Sequence, residues 1–293
     1  MPAARRVLEA AIAAALGPGH ALDDAAPASG GCIHESFVVR TRGAKLFVKT
    51  NRAAHADAFA AEADGLAALA AAGARAPRCL ATGAAGGDAF LALEYLEIGK
   101  RGDSDWPALG RMLAGLHRAT GARYGWHRDN YIGSTLQHNR ERGDWTEFWR
   151  DARLLPQLEL AARNGLGSRL VDAGRKLAES LPQLLGNHAP RPSLLHGDLW
   201  SGNASFLQDG TPVLFDPAVY RGDREADLAM TELFGGFPRA FYAAYAQDWP
   251  LAPGYPVRRD LYNLYHVLNH ANLFGGGYAA QAQSMIGRLS SEV

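Results

Sequence analysis

The segment Leu195-His196-Gly197-Asp198-Leu199-Trp200-Ser201-Gly202-Asn203 sets an aspartate five positions ahead of an asparagine. In phosphoryl transfer, a hydroxyl attacking the γ-phosphorus of a nucleotide needs a carboxylate to orient it and take its proton. The phosphates need a metal held close by. The spacing assigns Asp198 as the base and Asn203 as a metal ligand. Such chemistry also demands a second carboxylate on a nearby strand, and Pro212-Val213-Leu214-Phe215-Asp216-Pro217 supplies one, an apolar run of buried-strand type ending in Asp216. Magnesium prefers oxygen ligands and keeps several waters, so Asp216, the amide oxygen of Asn203 and the phosphates make a sufficient set. Taken singly, His-Gly-Asp also fits a plain turn and Asp-Pro a strand terminator. Their order and short separation favour the chemical reading.

Those groups need a partner upstream that binds the phosphates. Ser29-Gly30-Gly31-Cys32-Ile33-His34-Glu35-Ser36 leads into Phe37-Val38-Val39-Arg40, a turn at 41–45, and a return strand Leu46-Phe47-Val48-Lys49. Glycines let the backbone approach phosphate without a Cβ clash and present N–H donors to it, so Gly30, Gly31, Cys32 and Ile33 are candidate nucleotide contacts. Lys49 would reach the α- and β-phosphates. An Ala-rich helix from about 54 to 72 carries Glu62 on the face that shows Phe59, Leu66 and Leu69, which makes Glu62 the expected partner of Lys49. The apolar strand 90–96 then gives way to polar sequence at Glu97, as a hinge near 94–99 would, with Glu94 and Leu96 meeting the adenine edge through their main chain.

With these residues in view, the chain resembles the fructosamine kinase (ketosamine-3-kinase) family, within the protein-kinase-like superfamily that also holds aminoglycoside phosphotransferases. The narrower likeness rests on 129–135, Trp145-Thr146-Glu147-Phe148-Trp149, Trp200 inside the catalytic loop, 223–230 and Leu233-Phe234-Gly235-Gly236-Phe237. The resemblance implies ATP and Mg2+ as cofactors and phosphorylation of the 3-hydroxyl of a ketoamine, the adduct of a sugar with an amine. The 3-phosphate is unstable and eliminates, freeing the amine, which makes the activity a deglycation repair. A sugar site wants an aromatic platform with a polar rim, and Trp200 beside Asp198 offers one; core packing is the other reading of this indole. The resemblance also implies that Asp227 braces the catalytic-loop backbone, and its position before 228–234 reads as a helix N-cap. His196 is expected to brace the loop through hydrogen bonds. Cys32, a thiol in the phosphate-binding loop, is a candidate redox sensor or a small apolar filler.

The elements that must position these groups follow from periodicity. Helices are expected over 106–118, 147–163, 169–185, 239–247 and 258–274, with a hairpin turn at 84–88 and an amphipathic first helix interrupted in its apolar run by Glu9. The fold class is α+β: residues 1–97 as a small antiparallel-sheet lobe that binds nucleotide, and 98–293 as a larger, mostly helical lobe carrying the catalytic loop, metal site and substrate site, joined in a bilobal protein-kinase-like fold. With 293 residues, 47% of them apolar, the chain has ample material for both cores. Its 30 basic and 30 acidic residues cancel, so neither nucleic acid nor an anionic membrane is an expected partner. Two cysteines make neither a disulfide framework nor a zinc set, and the expected setting is cytoplasmic, as a monomer or a redox-dependent dimer. An aminoglycoside or small-alcohol phosphotransferase would keep the same catalytic groups but place acidic clusters in the late helices, where Tyr262, Tyr265, His266, Asn269 and His270 stand instead. A non-catalytic nucleotide-binding module is the remaining alternative.

Overall fold

A computed structural model of the protein describes residues 2–28, 34–100, 102 and 104–293. The chain divides into two compact units, Met1–Asp105 with Gly202–Pro217, and Trp106–Ser201 with Ala218–Val293.

The first unit opens with helix α1 (Pro2–Leu16), which buries Val7, Leu8, Ala11 and Ile12 at helical spacing. Strands β1 (Asp24–Pro27), β2 (Glu35–Thr41) and β3 (Ala44–Arg52) follow, and β2 turns into β3 through Arg42-Gly43, where a φ of 92° suits glycine in a tight hairpin. Helix α2 (Ala56–Ala71) comes next, then β4 (Cys79–Ala85) and β5 (Asp88–Glu94), joined at Gly86-Gly87. The five strands form one antiparallel sheet in the order β1-β2-β3-β5-β4. One core joins the buried stripe of α1 to Val39, Leu46, Val48, Phe90 and Ala92, while α2 contributes buried Phe59, Leu66 and Leu69.

The second unit starts with α3 (Trp106–His117), the small pair β6 (Asn130–Ile132) and β7 (Thr135–Gln137), and α4 (Trp145–Trp149). Asp144 caps α4 by accepting from the Glu147 N–H at 2.8 Å, which sets the start two residues before the predicted one. A π turn at Arg150–Leu154 then leads into α5 (Leu155–Arg163). The helix predicted over 169–185 is two, α6 (Ser168–Glu179) and α7 (Leu181–Leu185), because Pro182 lacks an N–H and restarts the helix in its first turn. After β8 (Ser193–Leu195), the chain returns to the first unit for the hairpin β9 (Ala204–Phe206) and β10 (Pro212–Leu214). Hydrogen bonds from the Gly99 N–H to the Phe206 carbonyl and from the Leu214 N–H to the Arg75 carbonyl, both 2.9 Å, fasten that hairpin.

Back in the second unit, β11 (Tyr220–Gly222) pairs with β8, and α8 (Glu225–Leu233), α9 (Arg239–Asp248), α10 (Tyr255–Phe274) and α11 (Tyr278–Ser290) complete it. Tyr262, Tyr265, His266 and Asn269 are buried in α10. Tyr262 accepts from Trp145 Nε1 at 3.0 Å and Tyr265 donates to Gln137 at 2.9 Å, so these polar groups tie the core together. No described helix is long and apolar enough to cross a membrane.

Helices α3 and α9 pack closely at Gly110, where a Cβ would lie 2.4 Å from the Phe241 carbonyl oxygen. A backbone atom cannot swing aside, so Gly110→Ala should destabilise the protein by about 1–3 kcal/mol, seen as an earlier urea midpoint by circular dichroism. An unchanged midpoint would mean that the two helices part without cost.

Candidate active site

In the first unit, β3 carries Lys49 inward, where its side chain is 7% exposed. An ammonium buried this deeply survives only when paired. Its Nζ lies 2.7 Å from Glu62 Oε1 on α2 and 2.6 Å from Asp216 Oδ1 beyond β10. Burial alone would lower the lysine pKa, but the two carboxylates outweigh it and hold the pKa above its ordinary value, so Lys49 is a fixed positive charge. Burial pushes the Glu62 carboxyl upward, against the pull of Lys49.

The β9–β10 hairpin explains how Asp216 arrives there. Leu214 pairs with Ala204, and one residue further the Phe215 N–H donates to the Asn203 carbonyl at 2.9 Å. Asn203 and Asp216 therefore flank the same end of the hairpin. Asp216 has a φ of 51° and, among the described residues, is the one non-glycine with a positive φ. Left-handed backbone on an aspartate is strained and clusters at functional positions. The Asn203 side chain is buried, whereas the Asp216 side chain is 43% exposed. One carboxylate and one amide, both hard oxygen donors, suit a divalent cation of the magnesium type.

Gly30, Gly31, Cys32 and Ile33 lie outside the described residues. The segment's described end is His34, whose Nδ1 sits 2.9 Å from the Asn51 amide nitrogen and whose ring lies 4.9 Å from that of Phe59. Burial, reinforced by Lys49, lowers the His34 pKa to about 4, which leaves the imidazole neutral at physiological pH. At the end of β5, Glu94 is held by both Arg75 nitrogens at 2.9 and 3.1 Å, and its own N–H donates to the Arg78 carbonyl at 2.9 Å. Leu96 is half-buried in the irregular segment that follows.

In the second unit, β8 delivers the chain to His196-Gly197-Asp198. Gly197 has a φ of 83°, and a Cβ there would fall 2.0 Å from the Ala218 carbonyl oxygen, so only glycine fits. The Ala218 N–H closes the loop on the His196 carbonyl at 2.9 Å. Asp227 accepts from the His196 N–H at 2.7 Å and from the Gly197 N–H at 2.9 Å. The fully buried His196 turns its Nδ1 toward the Asp198 N–H, 3.2 Å away. Asp198 is half-buried, and the Trp200 indole is 39% exposed, an orientation unlike that of a core-packing residue.

The N-cap reading of Asp227 needs correction. Helix α8 begins at Glu225, so Asp227 is its third residue. The carboxylate near the helix start is Asp223, which accepts from the Glu225 N–H at 3.0 Å. This frees Asp227 to face the loop. Burial would raise the Asp227 pKa, but the hydrogen bond with His117, together with that from the Gly197 N–H, keeps it below the ordinary value. At the end of α3, His117 sets its Nε2 3.1 Å from Asp227 Oδ2, a partner outside the residues the sequence motifs mark. A histidine closing an apolar helix carries no sequence signal of its own.

Comparison with known proteins agrees over nearly the whole chain. The family model described as fructosamine kinase matches residues 5–292. A "Probable ketoamine kinase" of Synechocystis is 45% identical over 97% of this chain and 96% of its own. The chloroplastic protein-ribulosamine 3-kinase of Oryza sativa subsp. indica is 43% identical over 88% of this chain and 76% of its own. A crystal structure from Haemophilus somnus, provisionally named fructosamine-3-kinase, superposes with a TM-score of 0.89 at 30% identity, covering 97% of this chain and 96% of that one. A thermostable mutant of the aminoglycoside phosphotransferase APH(4)-Ia shares the fold alone, with a TM-score of 0.62 at 14% identity over 97% of this chain and 98% of its own. The fold is thus α+β and protein-kinase-like.

The Gly197 geometry gives a direct test of the loop. Gly197→Ala combines a left-handed backbone, costing about 1–3 kcal/mol for a side-chain-bearing residue, with a collision against the main chain. Thermal unfolding should begin several degrees earlier than in the parent. A variant as stable as the parent would show that the loop has another conformation open to it.

Proposed function

Because this chain belongs to the fructosamine kinase family, we propose that it transfers the γ-phosphoryl group of ATP to the 3-hydroxyl of a ketoamine. The acceptor is a ribulosamine or fructosamine, carried on a small amine or on a glycated protein. The observation that carries this reading is Lys49, a buried and permanently charged ammonium whose two carboxylate partners lie on separate elements. A lysine so fixed suits the phosphates of a nucleotide, whose charge it offsets without losing its position.

In this reading Asp198 accepts the proton of the 3-hydroxyl as its oxygen attacks the γ-phosphorus. The bond from that phosphorus to the β,γ-bridging oxygen breaks, and ADP leaves. Asn203 and Asp216 would hold Mg2+, which when bound offsets the negative charge spread over the phosphoryl oxygens. Lys49 steadies the α- and β-phosphates, and Glu62 steadies Lys49. Exposed Trp200, two residues from Asp198, offers the sugar a flat apolar face. The phosphorylated ketoamine then eliminates phosphate, and water hydrolyses the remaining imine to the free amine and a deoxydicarbonyl sugar, so the reaction serves deglycation, in a cytoplasmic setting.

The division of labour predicts different kinetic losses. Asp198→Asn keeps the shape but not the basicity, so kcat on ribulosyl-lysine or fructosyl-lysine should fall by about 10²-fold or more while ATP binding persists. Turnover near the parental rate would remove Asp198 from the role of base. Asp216→Ala should instead weaken binding of the metal–nucleotide complex, measurable as a higher KM for ATP at fixed magnesium; an unchanged KM would displace the metal site from this residue.

A further inference from the structure

His188, Asp223 and Glu225 gather beside a cavity of about 550 Å³ in the second unit, but their acceptors are already taken. Asp223 accepts from Tyr262 at 2.6 Å and lies 2.6 Å from His188, and Glu225 holds Arg258 at 2.7 and 3.1 Å. That cluster fastens the start of α8. The more consequential groups lie deeper, behind the catalytic loop, where three buried side chains on three helices meet.

Arg224 Nη1 donates to the Tyr245 hydroxyl oxygen at 3.1 Å. Tyr245 Oη lies 2.8 Å from His117 Nδ1, and His117 Nε2 lies 3.1 Å from Asp227 Oδ2. His117 is fully buried, and Tyr245 and Asp227 are each 1% exposed. The direction of each bond follows from what the groups can donate. Arginine has no acceptor, so its bond occupies a lone pair of the tyrosine oxygen. Burial holds the Tyr245 phenol pKa well above its ordinary value, so its proton stays on and needs an acceptor. His117 Nδ1 is that acceptor. The imidazole proton is then on Nε2, facing the Asp227 carboxylate, and the opposite tautomer would set a lone pair against that anion. One arrangement satisfies every member: Arg224 donates to Tyr245, Tyr245 to His117, and His117 to Asp227.

The chain of donors ends on the carboxylate that grips the His196 and Gly197 N–H groups, immediately before Asp198. We propose that His117 and Tyr245 are positioning residues for phosphoryl transfer, fixing Asp227 and through it the peptide that aims Asp198. Neither residue touches substrate. The inference rests on the assignment of Asp198 as the base. Its cost is expected in kcat, because a displacement of about 1 Å at a reacting group can lower a rate by about 10²-fold.

Three variants of the full-length protein test this: His117→Leu, His117→Gln and Tyr245→Phe. Glutamine can return an N–H donor toward Asp227, whereas leucine cannot. With a ketoamine acceptor, His117→Leu should lower kcat by about 10- to 10²-fold with the KM for ATP unchanged, and His117→Gln should recover most of that loss. Tyr245→Phe should fall between them. Hydrogen exchange gives a readout independent of turnover: the His196 and Gly197 amides should exchange at least about tenfold faster in His117→Leu and Tyr245→Phe. Equal kcat in the leucine and glutamine variants, or unaltered exchange at those two amides, would overturn the proposal. If His117→Leu fails to fold, Tyr245→Phe decides by the same two readouts. A parent protein silent on every ketoamine would defeat the functional reading, while the exchange measurement would still decide the role of His117.

Discussion

A positive charge buried in the first unit constrains much of what surrounds it. Lys49 cannot stay charged at 7% exposure without compensation, and the compensation comes from Glu62 and Asp216, separated from it by 13 and 167 positions along the chain. The five-stranded sheet, the buried stripe of α2 and the returning β9–β10 hairpin must all be in place before those three side chains can meet. Removing either carboxylate would leave a buried cation short of a partner, which is costlier than losing a surface salt bridge. The same neutralisation that permits burial also fixes where the ammonium points.

The second unit solves a different problem, that of holding a short loop still. Gly197 accepts a backbone conformation closed to other residues and passes against the Ala218 carbonyl, while Asp227 grips the two N–H groups before Asp198. A buried carboxylate needs several donors to remain ionised, and the loop amides and His117 provide them. Stabilising the anion and immobilising the loop are therefore one arrangement of hydrogen bonds. Arg224 and Tyr245 extend it to α9, so helices remote from Asp198 in sequence bear on its backbone.

Much of the fold was legible because its signals are local. The apolar runs at 37–39 and 46–48, the glycine turns at 43 and 86–87, and the Phe59, Leu66, Leu69 stripe of α2 each follow from a few neighbouring residues. The departures have equally local causes: Asp144 starts α4 early, a π turn interrupts it, and Pro182 splits α6 from α7. What the sequence could not display was pairing over distance. Asp227 read as a cap because it precedes an apolar stretch, whereas its carboxylate turns toward a loop 30 residues upstream. His117 and Tyr245 looked like ordinary members of apolar helices, since nothing near either one reveals a partner 128 positions away. Two of the backbone bonds that fasten 202–217 to the first unit, from the Gly99 and Leu214 N–H groups, are announced by no side-chain pattern.

Phosphorylation of a ketoamine at its 3-hydroxyl is the reaction on which these assignments converge. Phosphorus NMR of fructosyl-lysine or ribulosyl-lysine incubated with the protein, ATP and magnesium tests it most directly. Transfer to the 3-hydroxyl should give a new phosphomonoester signal coupled to the proton on C3, which decays to inorganic phosphate as free lysine accumulates. Phosphate on any other hydroxyl, or ATP consumed with the ketoamine unchanged, would contradict it.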